Sequence, residues 1–288
     1  MNTTFFYRNR WKETGTTVTA SGAVSAYPAA NTKTPQPSEV WRSTTLTPYV
    51  QADFGRDRRV GGVAVYGHNL TPGSATVRVR VANDAAITDV VSGGDSGHVP
   101  AWAAMFPVGS PFADASGYPN AQGKKLLPKA VWAYIFAPEV VGRFVRVDFS
   151  DPPNPKGFVE AAYVYAGVVY QPERMMSYGW KLAPHEQAII KAAQSGQEYT
   201  ESQWTRWRAT ARFGAQDEAA ANFWMFLFSQ LGFSGEMVVR LRDDQALWTA
   251  ETTMLCRFAR NPVLEHQATV GDQVGIYQTT VELEEVIG

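Results

Sequence analysis

The sequence predicts a mainly β protein, with an antiparallel β-sandwich over residues 1–172 and an α+β domain with one main helix over residues 173–288. Three observations lead to this prediction. The first half is rich in Gly, Pro, Thr and Val and contains short runs in which apolar and polar residues alternate. The composition changes after Tyr170, where longer strand-like runs begin. A long helix-compatible segment occurs only in the second half.

The clearest strand signal is the run of residues 77–81, where three valines alternate with Arg78 and Arg80. Successive side chains of a strand point to opposite faces of the sheet, so we expect the valines on one face and the arginines on the other. Turn signals rich in Gly, Pro and Asn separate further runs of this kind, which are residues 49–54, 60–66, 144–149 and 158–165. Short strands at such spacing are typical of a sandwich.

Residues 92–130 interrupt this pattern and predict a long inserted loop, far longer than an ordinary connection between strands. The loop carries the aromatic residues Trp102, Phe106 and Tyr118. These rings have two interpretations: they contact a glycan or a partner protein, or they pack the loop against its own sandwich. His68 and Asn69, near a predicted strand end, are polar candidates for the same glycan contact, with shaping of the following turn as the alternative.

The main helix is predicted over residues 219–231. Asp217 and Glu218 suit the positive end of a helix, and Gly232 can adopt the left-handed conformation that ends it. The apolar residues of this segment cover more than one stripe. We therefore expect the helix to be covered on more than one side, either within its domain or by another subunit.

Two long strands with complementary charges flank the helix in sequence. Polar positions of one strand carry arginines, and those of the other carry glutamates. If these strands pair, or meet across a subunit boundary, the two charged rows face each other and set the register. The candidate oligomer contacts are Arg206, Arg208, Arg212, Glu282, Glu284 and Glu285. Glu284 and Glu285 are adjacent, point to opposite faces and are expected to be solvated edge charges.

Composition argues against several classes of protein. The 26 basic and 27 acidic side chains give a formal net charge of −1, which does not favour nucleic-acid binding. No apolar run reaches the roughly 20 residues that cross a bilayer, and the first residues do not resemble a secretory signal. The chain is therefore expected to assemble in the cytoplasm.

Candidate catalytic chemistry is sparse. The four histidines are scattered without the spacing of a metal site, and the single cysteine, Cys256, is expected to be buried and structural. The sequence predicts no catalytic residues, no metal and no cofactor, and we expect the protein not to be an enzyme.

The segments Trp41-Arg42-Ser43, residues 49–55 and residues 142–149 resemble those of a galactose-binding-like, or discoidin-type, domain. The resemblance spans about residues 15–170, with the loop as an interruption. It implies a jelly-roll β-sandwich. Members of this family bind sugars, lipids or proteins, so the resemblance by itself does not choose a ligand.

Residues 173–288 are similar in their order of elements to the ring-forming domains of tail tube and distal tail proteins of long-tailed bacteriophages. This resemblance implies a structural virion protein at the tail tip or baseplate, forming a homohexameric or homotrimeric ring with the sandwich at its periphery. Its partners would be the tube, hub and tape-measure proteins. With 10 basic and 15 acidic groups, this half would not retain DNA passing through a ring. The alternative function is a carbohydrate-binding module that recognises host surface glycans.

Overall fold

The computed structural model describes residues 2–36, 38–127, 130–192, 197–270 and 274–286. Within these residues the chain is mainly β. The strands are β1 Thr4–Asn9, β2 Thr17–Ala20, β3 Trp41–Arg42, β4 Tyr49–Tyr66, β5 Thr76–Ala82, β6 Val90–Asp95, β7 Val99–Pro100, β8 Val131–Ser150, β9 Glu160–Ala161, β10 Tyr163–Tyr170, β11 Lys181–Ala192, β12 Glu198–Gln216, β13 Met237–Arg240, β14 Thr253–Phe258, β15 Val263–Val270 and β16 Val274–Glu285. The helices are α1 Ala121–Leu126, α2 Glu218–Leu231 and α3 Ala246–Glu251, with a 3-10 helix at Ala29–Lys33.

The chain forms two compact units, and the first boundary falls after Pro172. The first unit also contains Met237–Leu255, which the sequence analysis had placed in the carboxyl-terminal domain. The physical reason is strand pairing: β13 pairs with β1 in antiparallel register, with Thr4 opposite Arg240. The second unit contains residues 173–236 and 256–287.

The first unit is an antiparallel β-sandwich built around the long strands β4 and β8. The amino-terminal half of β4 pairs with β2 and with the second half of β8, which in turn pairs with β5. The carboxyl-terminal half of β4 pairs with β10 and with the first half of β8. Buried residues from both halves, among them Val63, Val77 and Val147, form one hydrophobic cluster. Each long strand therefore contributes to both layers.

The predicted alternation in β5 is confirmed. Val77, Val79 and Val81 are fully buried, whereas Arg78 and Arg80 pair with Asp95 and Asp148 on the polar face.

The predicted loop 92–130 is partly regular. Its beginning belongs to β6, β7 follows, and α1 lies near its end, while the segment 101–120 is irregular apart from one isolated bridge. Residues 128–129 lie outside the described part of the chain. The strands β6 and β7 were missed because their glycines and short lengths conceal the alternation.

In the second unit, α2 packs on the face of β12 and β16. The predicted ends are confirmed: the Asp217 side chain accepts the Ala220 N–H, and Gly232 ends the helix with a φ of 55°. The Trp224 ring lies 4.8 Å from that of Phe213 on β12, measured between centroids. None of the helices in the described ranges is long and apolar enough to cross a membrane.

Candidate functional site

Trp102 is the loop aromatic closest to a potential ligand site. Its indole Nε1 donates to the Leu70 carbonyl at 2.9 Å, and its half-buried ring packs against the sandwich core. The His68 ring meets it edge-on at 5.4 Å between centroids, and Lys124 Nζ lies 5.3 Å from the indole centroid. Trp102 is thus fixed from several sides. Its remaining surface lines a cleft in the first unit.

His68 and Asn69 make contacts within the sandwich. His68 is buried, and neither ring nitrogen has a hydrogen-bond partner among the described residues. Burial, and secondarily the charge of Lys124, lowers the pKa of His68 to about 3. Asn69 donates to the Phe158 carbonyl and accepts the Glu160 N–H. These contacts fit the turn-shaping alternative and leave both residues away from the cleft lining.

Phe106 packs within the loop, and Tyr118 packs the loop against the sandwich. The Phe106 ring lies 6.1 Å from that of Phe112, and Tyr118 lies against Gly73, where an added Cβ would be 3.3 Å from the Tyr118 ring. Their contacts therefore favour the second interpretation of the loop aromatics.

The cleft has a volume of about 340 Å³ and is lined by the start of the loop, the start of β8 and the segment from Arg240 to Thr253. Trp102, Trp132 and Leu127 are among its apolar lining residues. Six polar residues in one stretch of chain also line it, which are Arg240, Asp243, Asp244, Gln245, Thr249 and Thr253. A largely apolar cleft with a few polar groups is the usual form of a small-molecule site.

The pKa values of two of these polar residues, Asp244 and Arg240, are shifted by their surroundings. The bidentate contact with Arg242 lowers the pKa of Asp244 and keeps this carboxylate ionised. Burial lowers the pKa of Arg240, although the nearby Asp243 carboxylate opposes this shift. The site offers hydrogen-bond donors, acceptors and aromatic surface. Among the described residues, no group of His, Cys, Asp or Glu is arranged to hold a metal ion.

Arg240, Asp243 and Gln245 are not among the residues predicted from the sequence, because they belong to a segment that the sequence pattern assigns to the other domain. The apolar run of residues 237–241 is a strand signal, but periodicity does not reveal which strand it pairs with.

Four of the six candidate oligomer contacts form ion pairs within the second unit, namely Arg206, Arg208, Glu282 and Glu284. Strands β12 and β16 pair with Arg208 opposite Glu284. The Glu284 carboxylate forms ion pairs with three guanidinium groups, at N–O distances of 3.1 Å for Arg206, 3.4 Å for Arg208 and 3.0 Å for Arg257. Arg212 lies opposite Thr280.

The two adjacent glutamates are buried, so their description as solvated edge charges is wrong. Glu285 lies on the other face from Glu284 and accepts the Trp207 N–H. The cause is the third strand: β14 pairs with the outer edge of β16 and covers this end, with Cys256 opposite Glu285. Glu282 contacts the exposed Arg260 at 3.4 Å. Cys256 is buried as predicted, and burial together with Glu285 raises the pKa of its thiol.

Comparison with known proteins places carbohydrate-binding modules among the structural neighbours. No family model and no curated protein matches the sequence. A family 32 module of Clostridium perfringens, solved with GalNAc-β-1,3-galactose, is 11% identical, covers 57% of this chain and 99% of its own, and has a TM-score of 0.37. The family 32 module of C. perfringens NanJ, solved with galactose, is 11% identical, with 58% and 99% coverage and a TM-score of 0.36.

A chitosan-binding module from a Paenibacillus sp. IK-5 chitosanase/glucanase is 15% identical, with 57% and 98% coverage and a TM-score of 0.34. At these TM-scores the likeness is limited, and what those modules bind is a property of those modules.

Proposed function

We propose that the first unit is a glycan-binding module and that the glycan occupies the cleft beside Trp102, without being cleaved. The observation that supports this function is the composition of the cleft: the indoles of Trp102 and Trp132 together with the polar side chains of Asp243 and Gln245. A sugar ring has apolar C–H surface and a rim of hydroxyl groups. The former suits an aromatic wall, and the latter suits carboxylate and amide groups.

A glycan array probed with the full chain, followed by calorimetry on the sugars that bind, tests this proposal. We expect Trp102→Ala and Gln245→Ala to weaken binding, because both residues line the cleft. Phe112→Ala is the matched control, since Phe112 is an exposed loop aromatic outside the cleft lining. Absence of glycan binding, or equal loss in the control, would contradict the proposal. Release of new reducing ends from a bound glycan would contradict binding without cleavage.

A second candidate function is supported by a separate observation in the second unit. The pairing of β12 with β16 ends at Arg208, and residues 198–207 pair only with β11 among the described residues. Most side chains described in this two-stranded ribbon are exposed, on both faces, and Tyr199 retains 57% of its accessible surface. Isolated two-stranded ribbons are marginally stable in water, and open edges favour association.

This second function is assembly into a homo-oligomeric ring, as in the tail tip of a long-tailed bacteriophage, with assembly in the host cytoplasm. Phe226 and Met225 on α2 add exposed apolar surface to the same unit. We expect light scattering after size exclusion to give a closed oligomer, and negative-stain images to show rings. A single copy at micromolar concentration would contradict this function and leave glycan binding unaffected.

A further inference from the structure

Arg240 is a cation beside the cleft whose hydrogen bonding is incomplete. It is the last residue of β13, and its Nη2 donates to the Ala133 carbonyl at 2.8 Å. Its Nε is buried and has no hydrogen-bond partner among the described residues. No carboxylate within the described ranges lies within 4.0 Å of its guanidinium, so no ion pair is formed there. A guanidinium removed from water in this way is costly unless an anion approaches it.

The two carboxylates that line the cleft are engaged with other groups. Asp244 contacts Arg242 through both oxygens. Asp243 Oδ1 accepts the Asn2 N–H at 2.5 Å. Asp243 does attract Arg240 electrostatically, but the effect of burial on the pKa of Arg240 is the larger of the two. The described residues therefore compensate this half-buried cation only in part.

We propose that the bound glycan carries a carboxylate, as a hexuronic or sialic acid does, and that this carboxylate pairs with Arg240. This inference rests on the proposed glycan-binding function. A carboxylate matches the planar donor edge of a guanidinium, and such charge-assisted hydrogen bonds are stronger than those between neutral groups. The remaining hydroxyl groups of the sugar would face Gln245 and the other polar lining residues.

Two sugar pairs that differ only at C6 provide the test: galacturonate against galactose, and glucuronate against glucose. Binding to the full chain is followed by NMR or calorimetry. We expect at least one acid to bind about tenfold or more tightly than its neutral partner, as a charge-assisted bond predicts. Salt should weaken binding of the acid and leave that of the neutral sugar nearly unchanged.

Variants then assign the effect to Arg240. Arg240→Gln should abolish the preference for the acid, and Arg240→Lys should retain part of it. Arg143→Gln is the control, because Arg143 pairs with Asp53 and does not line the cleft. The salt comparison on the unmodified protein requires no variant to fold.

The outcomes separate the two proposals. Equal binding of acid and neutral sugar would overturn the carboxylate inference and leave the glycan-binding function intact. Failure of every tested glycan and both acids to bind would overturn both. A preference for the acid that survives in Arg240→Gln would overturn the assignment to Arg240.

Discussion

Replacing Glu284 by Gln should destabilise the second unit strongly for a substitution that changes size so little. This one carboxylate lies among Arg206, Arg208 and Arg257. The amide removes the negative charge and leaves three guanidinium groups close to one another. Their mutual repulsion is then no longer compensated at this point of the sheet.

The expected loss of stability follows from how exposed the side chains of the three ion pairs are. The side chains of Arg206 and Glu284 are only 16% and 12% exposed, so water screens this pair little, and it contributes about 1.5–3 kcal/mol. Arg208 and Arg257 are 47% and 43% exposed, and each pair contributes at most about 1 kcal/mol. The Gln amide oxygen still accepts a hydrogen bond, so the expected loss is about 2–4 kcal/mol in the free energy of unfolding.

Urea unfolding of the full chain measures this loss. Glu282→Gln is the matched control, because the Glu282 carboxylate forms its ion pair with the 77% exposed Arg260, at 3.4 Å. This substitution should change stability by less than about 0.5 kcal/mol. The loss in Glu284→Gln should persist in 1 M salt, since the central pair is shielded from solvent. A loss equal to that of the control would refute the reasoning.

Three further predictions concern backbone packing, titration and thiol reactivity. In Gly167→Ala the new Cβ would lie 2.1 Å from the Arg8 carbonyl oxygen, so urea unfolding should show a loss above about 3 kcal/mol or the protein should not fold. Gly97→Ala, with open space but a φ of 63°, should lose only about 1 kcal/mol. The pKa of His68, lowered to about 3 by burial, means that the unfolded chain binds a proton below about pH 6.5 that the folded chain does not. Stability should therefore fall as pH is lowered from about 6.5 towards 3, and His68→Leu should flatten this dependence; an unchanged slope argues against the buried neutral ring. Burial raises the pKa of Cys256, so a thiol reagent should modify it only after denaturation, and rapid labelling of the native chain would disprove the burial.

Local patterns predicted the main elements of the fold, but not β6 and β7 or all of the strand pairings. The alternation at residues 77–81 and the capping residues of α2 define a strand and a helix by themselves, because side-chain direction and end capping are local properties. The placement of residues 237–255 in the first unit depends on pairing between β13 and β1, which are more than 200 residues apart in the chain. No local pattern contains that information.

The candidate site was predicted only in part for the same reason. Trp102 was identified from its position on a long loop, and it does line the cleft. Phe106 and His68 were also candidates because of their residue type. In the structure their rings pack against Phe112 and Trp102. Arg240 was missed because its burial follows from tertiary pairing. Residue type in a loop therefore selects candidates, and only the three-dimensional contacts separate residues that line the cleft from those that hold the loop.

The charged rows of β12 and β16 also change how self-assembly should be tested. Arg206 and Arg208 are neutralised within the unit by Glu284, so reversing their charge would report on the stability of the sheet rather than on contact between copies. Among the described residues, exposed aromatic side chains lie elsewhere in this unit, at Tyr199 on the ribbon and at Phe226 on α2. Tyr199→Lys and Phe226→Lys should leave the unfolding free energy nearly unchanged, since both side chains are about half exposed. If rings form through these surfaces, the same substitutions should shift the oligomer towards single copies, and an unaltered oligomer would exclude both surfaces as contacts.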